Sequence, residues 1–96
     1  MKTNFRMLLE LKDYTPANPH FTSDEEVQKI TDTLHLKEMD ILGLRNLRDF
    51  VVLYYENKEL HDKDNADINV TMDNWRAMQS ITAVIDHTIW ELGGEV

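Results

Sequence analysis

Four histidines (His20, His35, His61 and His87) and eighteen carboxylates give this 96-residue chain its capacity for metal binding or acid–base chemistry. Their spacing limits that capacity. A structural zinc site needs Cys or His ligands at short intervals, and the chain has no cysteine and no His-Glu-x-x-His pair. His87 and Glu91 stand four apart on one helix face; without a third ligand they read as a solvated surface pair. Asp62, Asp64 and Asp67, followed by Asp73, have some of the density of a calcium loop. Asp67 occupies the turn position that needs Gly, and the twelfth position is not Glu, so these acids read as acidic surface. No metal and no cofactor is expected.

Nucleophilic chemistry fares no better. Ser23 and Ser80 are the only serines. Ser23 is explained as a helix cap, and Ser80 lies in a helical stretch without the Gly-x-Ser-x-Gly turn that exposes a catalytic hydroxyl. With three glycines, two of them near the end of the chain, there is no phosphate-cradling loop. The expectation is a protein without catalytic activity.

Charge points in the same direction. The formal net charge is −8, with residues 1–21 at +1, residues 22–60 at −4 and residues 61–96 at −5. Phosphate binding needs clustered Lys and Arg, and only Arg45 and Arg48 lie near each other, so direct nucleic-acid binding is not expected. An acidic surface suits solubility or a basic protein partner. No segment approaches the roughly 20 apolar residues of a membrane span, and Met7-Leu8-Leu9 is far too short for a signal-peptide core. With no cysteine either, a cytoplasmic protein is expected.

Helices must position these groups. Residues 4–13 read as a helix capped by Thr3 or Asn4, with a short strand as the alternative because Phe5, Met7, Leu9 and Leu11 alternate. Pro16 and Pro19 make 14–22 a linker, which Tyr14 and Phe21 are placed to pin to the core. Ser23-Asp24-Glu25-Glu26 is a capping box opening a helix over about 24–34, and His35-Leu36 marks a turn. A long helix is expected from Lys37 to Asn57 or Lys58, with Gly43 in its interior at a kink or close crossing. Residues 61–70 read as an acidic loop. The last helix, Thr71 to Gly93, has Thr71 as cap, Asp73 in its first turn and Gly93-Gly94 as a left-handed stop. Its apolar seam is Trp75, Met78, Thr82, Ile85, Ile89 and Leu92, with Ala77, Ile81, Val84 and Thr88 beside it, a face wide enough for core burial.

These elements make one all-α domain over 1–96. An N-terminal segment and proline-containing linker (1–22) precede a helical core (23–96). The core is an irregular bundle of three to four helices built on a long helical hairpin. Surplus apolar surface then becomes the candidate site. Phe50-Val-Val-Leu-Tyr-Tyr55 is apolar on every face, so Tyr54 and Tyr55 cannot both point into one core. Trp90 stands off the apolar seam beside His87, Asp86 and Ala83, as a tryptophan at an interface would. The partner-binding set is therefore Tyr54, Tyr55, Val52, Trp90, Glu56 and Asp86. An acidic surface of Asp62, Asp64, Asp67, Asp24 and Glu25 accompanies it.

Val52-Leu53-Tyr54-Tyr55-Glu56 resembles the tandem-tyrosine segment of colicin nuclease immunity proteins, four-helix acidic inhibitors that cover a basic nuclease. The resemblance spans five residues and implies a class of function: an inhibitor, immunity or antitoxin-like factor that occludes a protein partner. Phage-encoded inhibitors of bacterial defence are commonly small acidic chains of this kind. Two other readings share the sequence. One is a homo-oligomeric structural or ligand-sequestering protein, and the other is a DNA mimic whose acids occupy a nuclease groove.

Overall fold

Thr3 and Ser23 each accept a backbone N–H three residues on, and each begins a helix: Thr3 Oγ1 from Arg6 at 3.3 Å, Ser23 Oγ from Glu26 at 3.3 Å. In a computed structural model these caps open α1, Asn4–Leu9, and α2, Asp24–Thr33. A 3-10 turn, Leu36–Glu38, leads to α3, Ile41–Asp62, and then to α4, Ile68–Glu91. The structure describes residues 3–12, 14–18, 21–62 and 68–94; for 58–62 and 68–71 it describes the backbone alone. The protein is an all-α bundle, and no strand occurs among the described residues.

Residues 4–9 are helical, which settles the helix-or-strand alternative for the N-terminal segment. Met7, Leu8 and Leu11 are buried, so the apolar residues follow helical spacing and the apparent alternation is incidental. The capping box of α2 is complete. Glu26 returns its carboxylate to the Ser23 hydroxyl at 3.0 Å, and Asp24 and Glu25 face the positive end of the helix dipole.

The start of α3 differs from expectation. His35 adopts a left-handed conformation, φ 53°, and ends the α2 segment; Leu36–Glu38 form the 3-10 turn and Met39 is extended. Asp40 then caps α3, its Oδ1 accepting the Gly43 N–H at 2.8 Å. Gly43 therefore lies in the first turn and not at an interior kink. A Cβ there would sit 3.1 Å from Asp40 Oδ1, so glycine leaves room for the cap.

α3 and α4 pack antiparallel as the expected hairpin. Arg48 Nε meets Asp86 Oδ1 at 2.6 Å, and Gly94 lies against Ile41, which fixes the register at both points. Helix also occupies the ends of the segment read as a loop: α3 continues to Asp62 and α4 begins at Ile68. Thr71 is thus inside α4 and not its cap, and Asp73 lies beyond the first turn. At the other end the glycine stop stands as expected. Gly93 has φ 86° and donates to Trp90 O at 2.9 Å, and Gly94 donates to Ile89 O at 3.0 Å, a Schellman motif.

The buried stripe of α4 keeps Ile85 and Ile89 of the expected seam and is shifted toward its flank at Ala77, Ile81 and Val84. Asn74, Ala77, Ser80, Ile81, Val84, Ile85 and Ile89 are buried, whereas Trp75 is 52% exposed and Leu92 is also exposed. The cause is Ser80. Its hydroxyl meets Tyr14 Oη at 2.9 Å and Thr22 Oγ1 at 2.7 Å, so a polar position is buried without a penalty for lost water. Tyr14 Oη also donates to Glu26 Oε2 at 2.6 Å. The network ties the linker to both α2 and α4. Of the two aromatic residues assigned to pin the linker, Tyr14 does so and Phe21 does not, being 62% exposed.

Candidate functional site

Phe50, Leu53, Tyr54 and Asn57 recur at helical spacing along one flank of α3, where α1 brings Phe5 alongside. Together they line a groove of about 530 Å³. Phe5 and Leu53 are more than half exposed, while Phe50 and Tyr54 pack partly against the core. The ring of Tyr54 is held from two directions. It meets Phe5 edge-on at 6.3 Å and Tyr55 edge-on at 5.1 Å. A ring fixed on both sides loses little freedom when a partner covers it. Glu56 is exposed on the same helix, next in sequence to the buried Tyr55.

Tyr55 belongs to the core and leaves the partner-binding set: it is 3% exposed. The conflict between adjacent tyrosines resolves by a division of faces, with Tyr55 inward and Tyr54 at the α1 flank. Burial accordingly pushes the Tyr55 hydroxyl up to about 12. Val52 is half-buried on the opposite flank of α3 and does not line the groove. Asp86 is engaged by Arg48 and is only partly exposed.

Trp90 is 66% exposed, off the buried stripe as expected. Its ring stacks on His87 with centroids 5.9 Å apart and an interplanar angle of 23°, and His87 Nε2 meets Glu91 Oε1 at 2.8 Å. The register set by Arg48 and Asp86 places Trp90 across from Leu44, about 15 Å along the axis from Tyr54. Tyr54 and Trp90 therefore belong to separate patches and do not form one contact surface.

Asp24 and Glu25 are exposed on the first turn of α2. The Asp62 side chain and residues Asp64 and Asp67 lie outside the described residues, as does most of the acidic segment. Among the described residues, no group of three His, Cys, Asp or Glu is placed to hold a metal ion, and no helix is long and apolar enough to cross a membrane.

Sequence reasoning missed two features. Phe5 stands in the alternating segment 4–13 and Leu53 in the apolar run 50–55, and neither position by itself signals the exposure that shapes the groove. The Tyr14–Ser80–Thr22 contacts join residues 58 and 66 positions apart, a distance over which periodicity carries no signal. No protein-family model matches the chain, and no curated protein or solved structure matches it.

Proposed function

We propose that this chain is a non-catalytic protein-binding protein of the inhibitor, immunity or antitoxin kind, which occludes a partner through the groove between α1 and α3. The observation that carries this reading is the apolar groove itself. Phe5 and Leu53 hold more than half of their surface in water beside a tyrosine already fixed by two ring contacts. Buried aromatic anchors surrounded by a polar rim dominate protein interfaces. With Glu56 beside the groove and a net charge of −8, a partner offering apolar side chains among basic groups is favoured.

The test is affinity capture from host lysate with the intact chain and with Leu53→Glu. Leu53 is exposed, so the substitution leaves the core intact. A partner retained by the native chain and lost with Leu53→Glu supports the proposal. A partner held equally by both overturns the groove assignment.

A second reading rests on Trp90 and Leu92, exposed near the end of α4 and away from the groove. There the chain would meet its own copy across a two-fold axis. Sedimentation of the native chain against Trp90→Ala decides it: a strict monomer at high concentration removes this option.

A further inference from the structure

Among the described residues, Arg76 is the one charged side chain lining a second cleft, where the linker crosses α4, and it makes no hydrogen bond or ion pair with any described residue. In a chain with 18 acids and 10 bases, an arginine without a carboxylate partner among the described residues is the less expected arrangement. The cleft holds about 270 Å³, near the lower limit of roughly 300 Å³ for ligand pockets. Pro16 and Phe21 on the linker side and Ala83 on α4 give it apolar walls. Asn18, Thr22, Gln79 and Ser80 supply its neutral polar lining.

The hydroxyls define which ligand fits. Each carries one hydrogen. Tyr14 gives its hydrogen to Glu26, so Ser80 must donate to Tyr14 and Thr22 must donate to Ser80. The Thr22 and Ser80 hydroxyls therefore have no hydrogen left for an anion, and Asn18 and Gln79, which also line the cleft, offer neutral amides. Among the described lining residues Arg76 alone supplies positive charge, in the planar fork that matches a carboxylate. A dianion would meet one cation among the described lining residues, and its second charge would face the field of a net −8 chain. We propose that this cleft binds a small monocarboxylate with an apolar body, its carboxylate on Arg76 and its body against Phe21, Pro16 and Ala83. The site is separate from the α1–α3 groove and does not depend on the function proposed for it.

The test uses the full chain labelled with nitrogen-15, titrated with benzoate, with uncharged benzamide and with inorganic phosphate. The expected result is saturable movement of the Thr22, Ser80 and Ala83 amide signals with benzoate and not with benzamide. Arg76→Gln should weaken benzoate at least about tenfold, the loss of a charge-assisted pair, with an unchanged melting temperature. Absence of saturable movement up to about 10 mM benzoate overturns the proposal, this being weaker than the weakest useful affinity. Equal movement with benzamide, or an unchanged affinity in Arg76→Gln, also overturns it. A stronger response to phosphate overturns the assignment to a monocarboxylate.

Discussion

Tyr14 Oη and Ser80 Oγ lie 2.9 Å apart across 66 positions of sequence, and that contact fastens the linker to the middle of α4. Tyr14 to Phe keeps the ring and removes the hydroxyl. Ser80, buried, loses its acceptor, and Glu26 loses a donor. Leaving buried polar groups without partners costs about 1–3 kcal/mol, so the melting temperature should fall by roughly 5–15 °C. Adding Ser80→Ala to Tyr14→Phe should cost less than the two single losses together, because both break one network. Thermal melts of the three variants measure this.

Alkali should act through the same tyrosine and through Tyr55. Burial is the main cause that raises both hydroxyls from the usual value near 10 to about 12, with the Glu26 hydrogen bond adding to it for Tyr14. A group that holds its proton more tightly when folded contributes full stability below its unfolded value, and loses it between that value and the folded one. Stability should therefore fall between pH 10 and about 12. Glu26 has the opposite sign. The Tyr14 hydroxyl lowers it, so its contribution is present above the ordinary carboxylate range and fades as pH drops through the lowered value. Chemical denaturation across pH, followed by circular dichroism, should show both flanks. The acid flank should be shallower in Tyr14→Phe.

Adjacent residues on α3 should differ sharply on truncation. Tyr55→Ala empties a core position and should cost about 3–5 kcal/mol, whereas Leu53→Ala, exposed, should stay within about 0.5 kcal/mol. Urea titration of both variants checks the division between fold and surface. Equal losses would place Leu53 in the core and empty the groove of its meaning.

Much of this fold was legible because its signals are local. The capping box at Ser23 and Glu26, the glycine pair at 93 and 94 and the length of the hairpin each follow from residues within one or two turns. The orientation of α4 was not. Hydrophobicity favours Trp75 for the core over Asn74 and Ser80, whereas the burial of Ala77, Ile81 and Val84 and partners elsewhere in the chain favour the reverse. Tyr14 and Thr22 supply those partners for Ser80. The candidate site was legible in part for a related reason. Composition shows that one of Tyr54 and Tyr55 must face outward, but the flank that receives Phe5 depends on where α1 docks.

Gly93 is a sharper case of local control. At φ 86°, a side chain is strained whatever the space around it, and no atom lies within 4 Å of a Cβ there. Gly93→Ala should cost about 1–2 kcal/mol from backbone strain alone, and Gly93→Asn less. At Gly94 the obstacle is steric: a Cβ would fall 2.7 Å from Ile89 Cγ2. Melting temperatures of Gly93→Ala and Gly93→Asn test the strain, with the asparagine variant the more stable.

The antiparallel register of α3 and α4 has a kinetic consequence. The two longest helices are consecutive in the chain, so their shared interface closes over short loops, and such topologies fold fast. The link from Tyr14 to Ser80 must close a span of 66 residues, and it gains nothing until α4 is already in place. The hairpin is therefore expected to form first, with the linker docking onto it late. Removing the Tyr14 hydroxyl should then speed unfolding and leave the folding rate nearly unchanged.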